Sequence, residues 1–165
     1  MRAFVRGRTM EAIENANQKV NRALKAGAMA IGAEVEILDL AGCLPTFFDA
    51  RLDQFLAANM TALLGSNAVG QAGHQTGSTD IGDVSHLMLA LHAYIKAGKG
   101  NLHMEEFVIS DPLLAYVESA KGFALTAVDL LWDGAREGLS IKKNYRPKYS
   151  KEGYLNFWSQ LSHGA

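Results

Sequence analysis

Residues 77–86 read Gly-Ser-Thr-Asp-Ile-Gly-Asp-Val-Ser-His, and this stretch decides how we interpret the fold. It lies within residues 73–107, which hold four of the five histidines together with several carboxylates and glycines. Imidazole and carboxylate suit zinc or manganese, and glycine lets the backbone approach a substrate. The same residues also suit polar loops and strand ends, and the lack of a His-Glu-x-x-His spacing favours that alternative. Composition alone does not separate a metal site from a polar loop.

A first candidate ligand set is formed by Asp80, Asp83 and His86. These three residues recur at three-residue steps, which would bring them to one face of a helix. Gly82 and the apolar run that follows it argue against a helix at this point, so we discount this set.

A second candidate is His103, which follows a glycine loop and precedes Glu105 and Glu106. One histidine there can reach a metal ion. A catalytic zinc, however, usually takes about three protein ligands plus water. His103 therefore predicts one ligand of a site, not a whole site.

Working outward, local capping signals and apolar periodicity predict the helices. Acidic, hydroxyl or proline residues stand at their starts, and apolar residues recur at three- and four-residue steps behind them. The first predicted helix begins at Thr9, and its apolar stripe reaches Gly27. The second runs from Asp49 to Gly65, and the third from Asp111-Pro112 to about Glu137. The fourth begins after Ser150.

Strands are predicted for residues 3–8 and 33–40, because alternating or β-prone residues flank the first helix. A buried strand is also predicted in the second half of the run from Ile81 to Tyr94. Residues 65–80 and 97–101 are predicted loops. Gly42-Cys-Leu-Pro45 is a structure breaker, so we expect a domain boundary near residues 41–48.

Composition narrows the class of protein. The 165-residue chain is 48% hydrophobic, and its 16 basic residues nearly balance its 17 acidic ones, so no overall field attracts nucleic acid or an anionic membrane. No apolar run approaches the roughly 20 residues that cross a bilayer, and no secretion signal is evident at the start. The single cysteine fits a reducing compartment. We expect a cytoplasmic protein without membrane or nucleic-acid partners.

The order of motifs resembles the C-terminal portion of the co-catalytic metal amidohydrolases. That group includes aminoacylases, carboxypeptidase G-type enzymes and aminobenzoyl-glutamate hydrolases, and the chain is most similar to the aminobenzoyl-glutamate hydrolase branch. The residues that carry the resemblance are the run 77–86, Ala90-Leu-His92, Leu102-His103-x-Glu-Glu-Phe107, Asp111-Pro112, Ala120-Lys121, Asp129-Leu-Leu, residues 150–155, Val5-Arg6-Gly-Arg-Thr9, residues 33–37 and Gly42-Cys-Leu-Pro45. The chain departs from the pattern at Leu89 and Ala93, where the family commonly has prolines.

The resemblance implies an α/β fold: a partial zinc-exopeptidase-like catalytic domain with half of a ferredoxin-like dimerisation domain. By that pattern, residues 1–40 form the C-terminal half of the α+β lid, or dimerisation, domain. Residues 41–165 form the C-terminal part of the catalytic domain. A lid reduced to two strands and one helix leaves unpaired edges, which invite a second chain. We expect a homo-oligomer or a complementary N-terminal half as partner.

The resemblance also implies site residues and a reaction. His103 matches the last metal ligand, whereas Ser78, Thr79, Asp80 and His92 match positions that face the substrate. The complete enzyme uses a divalent metal, zinc or manganese, to activate the water that hydrolyses the amide bond of an N-acyl or aminobenzoyl amino acid. The other ligands and the general base are expected outside this chain. We therefore expect this chain alone to retain no metal and to be inactive.

Two alternatives stay open beside the amidohydrolase fragment. One is a non-catalytic assembly or binding module built on the same fold, and the other is a self-contained metal enzyme using Asp80, Asp83, His86 and His103. Among the remaining conspicuous residues we expect the following: Cys43 as a small apolar filler, His74 and His86 in surface or supporting roles, and Trp132 and Trp158 in the core or in helix packing.

Overall fold

The structure is a computed structural model that describes residues 1–71, 73 and 77–163, with side chains up to residue 160. The described residues fall into two compact units. The first unit comprises Met1–Phe47, Ala72–Met88 and Pro147–Ala165, and the second comprises Phe48–Gln71 and Leu89–Arg146. One break of this division, between Phe47 and Phe48, lies inside the predicted boundary at 41–48. The division into residues 1–40 and 41–165 stays a prediction.

The first unit contains helix α1, Met10–Ala30. Thr9 caps it, because its hydroxyl oxygen accepts a hydrogen bond from the backbone N–H of Ala12 at 3.2 Å. Glu11 lies in the first turn, where the helix dipole favours an acid. The predicted first helix is confirmed. Its apolar stripe is half-buried at best, since no residue of α1 is fully buried.

The strands predicted at residues 3–8 and 33–40 are wrong, because both segments are irregular and form no ladder among the described residues. Residues 33–40 are attached to α1 by side-chain hydrogen bonds instead of by a backbone ladder. The Asp39 carboxylate accepts hydrogen bonds from the amide groups of Asn17 at 2.9 Å and Asn21 at 2.7 Å. The segment thus returns along α1 and is attached to it by one acidic residue. A strand forms only where another strand pairs with it, and the described chain brings none to either segment.

Two further helices belong to the first unit: α3, Ile81–Leu87, and α5, Lys151–His163. The α5 start is confirmed, because the Ser150 hydroxyl accepts the N–H of Gly153 at 3.0 Å. Helix α3 contradicts our expectation that Gly82 excludes a helix. Gly82 is buried against the carbonyl oxygen of Leu44, and a Cβ at this position would collide with that oxygen. Glycine at this position lets the backbone of α3 lie close to the backbone of Leu44.

The second unit is built on helix α2, Ala50–Leu64, packed against helix α4, Ser119–Asn144. As predicted, the Asp49 side chain caps α2 by accepting the N–H of Arg51 at 2.9 Å, and Gly65 ends the helix with φ 87°. The buried residues of the α2–α4 contact are Leu52, Leu56, Gly122, Thr126 and Ile141.

The start of the third predicted helix is confirmed at Asp111, whose carboxylate accepts the N–H of Leu114 at 2.9 Å. A π-helical turn, Leu113–Glu118, leads into α4. The helix continues past the predicted end near Glu137 to Asn144, and residues 132–135 form a kink with non-helical backbone angles. Trp132 at this kink is 74% exposed, so its predicted packing role is wrong.

The one sheet among the described residues is a short antiparallel pair in the second unit, β1, Gly98–Lys99, with β2, Val108–Ile109. Gly98 pairs with Ile109 and Lys99 with Val108. The buried strand predicted before Tyr94 is wrong, because α3 takes up the first half of that run and residues 88–97 form no ladder. Within the described part of the chain, no helix is long and apolar enough to span a membrane. The α/β zinc-exopeptidase-like class stays a prediction for this largely helical chain.

Candidate functional site

Three of the predicted substrate-facing residues, Ser78, Thr79 and Asp80, lie in the first unit immediately before α3. The guanidinium of Arg6 donates to the Ser78 hydroxyl at 3.2 Å. The Thr79 hydroxyl donates to the Asp80 carboxylate, also at 3.2 Å. Asp80 precedes α3 but its side chain makes no capping bond to the helix. The segment therefore presents a hydroxyl, a carboxylate and a guanidinium on an exposed surface.

The other two members of the discounted ligand set, Asp83 and His86, form hydrogen bonds within the first unit. The Asp83 carboxylate accepts the hydroxyl proton of Tyr154 at 3.0 Å and, more weakly, the N–H of Leu44 at 3.4 Å. Burial, with the nearby Asp83 charge as a further cause, raises the pKa of the Tyr154 hydroxyl. Asp83 thus ties α3 to α5 and to the segment before α2.

His86 is 92% buried, since only 8% of it is exposed, and it forms the centre of an aromatic cluster. Its Nε2 lies 2.8 Å from the carbonyl oxygen of Pro45, which assigns the ring proton to that nitrogen. Its Nδ1 is buried with no hydrogen-bond partner among the described residues. The ring stacks on Tyr149 at 5.8 Å between centroids, and Phe47 lies at 5.9 Å. The surface role expected of His86 is therefore wrong, because the residue is buried. Its ring packs inside the aromatic cluster.

The backbone completes this cluster. The His86 carbonyl accepts the N–H groups of Lys148 at 2.9 Å and Tyr149 at 3.2 Å. Ser85, fully buried beside it, accepts the N–H of Phe47 at 2.9 Å and donates to the Gly82 carbonyl at 2.6 Å. Sequence reasoning missed this cluster, because its members come from three distant segments and only their aromatic character signals them.

His92, the fourth predicted substrate-facing residue, lies in the second unit and is half-buried. Its ring stacks on Tyr94 at 4.9 Å between centroids and meets Phe48 edge-on at 6.5 Å. No hydrogen bond to its ring nitrogens is present among the described residues.

His103, the predicted metal ligand, also lies in the second unit, in the turn between β1 and β2. Its backbone adopts φ 69°, the left-handed region that few non-glycine residues occupy. The turn is closed by Asn101, whose side-chain amide donates to Glu106 at 3.1 Å. The backbone N–H of Glu106 itself, with help from Asn101, lowers the pKa of the Glu106 carboxyl. His103 is exposed and makes no hydrogen bond to another described residue.

The donor set around His103 does not by itself fit a metal ion. Within residues 1–71, 73 and 77–160, no group of three or more histidine, cysteine, aspartate or glutamate side chains converges. Glu106 is engaged with Asn101, which leaves His103 and the exposed Glu105 in this turn. The described residues of this turn offer one imidazole, whereas a catalytic zinc usually takes about three protein ligands.

Three other expectations concern single residues. Cys43 is exposed and free, so the prediction that it fills an apolar space is wrong. His74, expected in a surface or supporting role, lies outside the described residues. Trp158 packs edge-on against Tyr154 with centroids 6.1 Å apart, as expected of a helix-packing residue.

Comparisons with models of known protein families, with curated proteins and with solved structures returned no match to this chain. The resemblance carried by residues 77–86 and by His103 is therefore an expectation from sequence. The reaction and the site roles that it implies are proposals.

Proposed function

We propose that this chain supplies part of the active site of a metal-dependent amidohydrolase that cleaves the amide bond of N-acyl or aminobenzoyl amino acids. In this proposal His103 is one ligand of a zinc or manganese ion. The other ligands and the general base come from outside the described residues, through a complementary polypeptide or a second copy. The isolated chain is inactive, because one imidazole cannot hold the metal.

The observation that supports this proposal is the state of His103. The backbone of His103 has φ 69°, a conformation that costs free energy in a non-glycine residue. Its imidazole is exposed, so burial of the side chain does not offset this cost. Such strain at a polar residue is typical of functional positions. A short two-stranded turn, fixed by the contact between Asn101 and Glu106, holds this imidazole outward.

Within the same proposal, Ser78, Thr79 and Asp80 contribute hydrogen-bonding groups to the substrate, and Arg6 positions Ser78. His92 presents a ring stacked on Tyr94 as a substrate-facing surface. These residues would bind and orient the substrate and transfer no protons at the reacting carbon.

The experiment combines this chain with a polypeptide that carries the family's His-x-Asp motif and Glu-Glu pair, in the presence of zinc or manganese. Hydrolysis of aminobenzoyl-glutamate and of an N-acetyl amino acid is measured. Activity is expected for the mixture of the two polypeptides and not for either polypeptide by itself. His103→Ala should lower this activity by at least about 100-fold, because a metal ligand is lost.

The matched control is Glu105→Ala, which alters an exposed carboxylate in the same turn. It should leave activity within a few-fold of the unaltered mixture. Activity that survives His103→Ala would show that His103 is no ligand, and an equal fall with both variants would show that the effect is not specific to His103.

A non-catalytic assembly module is the second candidate, and exposed apolar side chains in the first unit favour it. Ile31 is 81% exposed and Met29, near the end of α1, is 79% exposed. Leu38 and Leu40 in the following segment are also exposed. Apolar surface of this kind, in place of the expected strand edges, is what a second chain would cover. Sedimentation should show self-association at micromolar concentration, and a well-behaved monomer would count against this candidate.

A cytoplasmic location is part of the proposal and rests on the single cysteine of the sequence. The free thiol of Cys43 is exposed, which a reducing compartment tolerates.

A further inference from the structure

The second unit contains a cavity of about 390 Å³ between α2 and the last turns of α4. It opens widely to solvent, and the apolar residues that line it include Phe55 and Ile141. The polar residues that line it are Arg51 and Gln54 from α2 and Glu137 and Ser140 from α4.

Arg51 offers oriented hydrogen-bond donors to this cavity. Its Nε and one terminal nitrogen bind the two Asp49 oxygens at 3.1 and 2.7 Å, which fixes the plane of the guanidinium. The other terminal nitrogen has no partner among the described residues. The paired carboxylate therefore orients the arginine while leaving donors for a second carboxylate.

Glu137 supplies the opposite charge from the other helix. Its nearest cation is Arg136, with 3.5 Å between Nε and Oε1, which is a long contact between exposed side chains. The Glu137 carboxylate therefore retains acceptor capacity toward the cavity that it lines. The two helices thus line the cavity with one arginine, one glutamate and two large apolar residues.

We propose that this cavity binds a free aliphatic amino acid. The ligand carboxylate accepts from Arg51, its ammonium group donates to Glu137, and its side chain lies on Phe55 and Ile141. Glu137 opposes a plain anion, Arg51 opposes a plain cation, and an uncharged apolar molecule would desolvate both groups without compensation. This binding needs neither a metal nor a scissile amide, so it stands apart from the proposed hydrolysis.

The test titrates the isotope-labelled full chain with L-leucine and follows the NMR signals of Phe55 and Ile141. Two probes each lack one charge: 4-methylpentanoate has no ammonium group, and 3-methylbutylamine has no carboxylate. Leucine should give saturable shifts at these residues. Each probe should bind at least about tenfold more weakly, since each loses a hydrogen bond to a charged group.

Arg51→Gln and Glu137→Gln should each weaken leucine binding by at least about tenfold. The matched control is Lys142→Gln, which removes an exposed charge on the same helix that does not line the cavity, and its effect should stay within a few-fold. If Arg51→Gln fails to fold, the comparison of leucine with the two probes on the unaltered chain still decides. Absence of saturable shifts at millimolar leucine, equal binding of leucine and the two probes, or shifts confined to other residues would overturn the proposal.

Discussion

The two acidic residues at the start of α2 have opposite relations to pH. The hydrogen bonds from Arg51 lower the pKa of the Asp49 carboxyl, whereas burial, with the neighbouring Asp49 charge, raises the pKa of Asp53. Asp49 therefore stabilises the fold at neutral pH, and this contribution disappears as the pH falls below about 4. Asp53 acts in the other direction: ionising it costs stability as the pH rises through its raised pKa.

Substitution of each aspartate by asparagine tests this contrast, because it removes the ionisable carboxyl group. At Asp49 the asparagine keeps an oxygen that can cap the helix. Asp49→Asn should lower the free energy of unfolding at pH 7 by about 1 kcal/mol, and the loss should shrink at pH 3. Asp53→Asn should raise the melting temperature at pH 7 and have little effect at pH 3. Thermal unfolding followed by circular dichroism at both pH values measures this. The same sign for both variants at pH 7 would contradict the assignment.

His86 is the second residue whose role is structural in this account. His86→Ala removes a ring stacked on Tyr149 and leaves the Pro45 carbonyl without its donor. The expected loss is about 3 kcal/mol of unfolding free energy. His92→Ala, which removes a half-buried ring with no hydrogen bond to a described residue, is the control and should cost about 1 kcal/mol. Denaturant unfolding compares them, and an equal or smaller loss for His86→Ala would show that the cluster contributes little.

At the scale of elements, the starts of α1, α2, α5 and the π-helical turn that leads into α4 could be predicted from sequence, because a cap is a local signal. Thr9, Asp49, Asp111 and Ser150 each bond a backbone N–H within three residues. Strands need a partner distant in sequence, which no local pattern supplies. The kink in α4 did have a local signal in Asp133-Gly134, a turn dipeptide, and Gly134 adopts φ 68°.

Gly82 shows why α3 was missed, and it gives a prediction at the scale of the element. Alanine favours helix over glycine, yet Gly82→Ala should destabilise by about 1–3 kcal/mol, because its Cβ meets the Leu44 carbonyl. Gly27→Ala in α1 is the control, since its Cβ would meet nothing within 4 Å. It should stabilise by about 0.5–1 kcal/mol. Opposite signs in thermal unfolding are expected, and stabilisation by both would refute the close approach.

At the scale of the whole molecule, the candidate site could be predicted only in part. Ser78, Thr79 and Asp80 are consecutive, so their proximity follows from the sequence, whereas His103 follows a glycine loop and is predicted as a ligand through the family resemblance. The pair Arg51 and Glu137 lines one cavity because α2 packs on α4, which no sequence pattern announces. The aromatic cluster around His86 likewise depends on the meeting of distant segments.

The proposed hydrolysis requires metal ligands beyond the described residues of this chain, because those residues bring no group of three or more ligand side chains together. The most direct test purifies the isolated chain from medium supplied with zinc and manganese, then measures bound metal and hydrolysis of an N-acetyl amino acid. The account predicts that no stoichiometric metal survives gel filtration and that hydrolysis equals that of His103→Ala. A firmly held ion, together with turnover that His103→Ala abolishes, would contradict it.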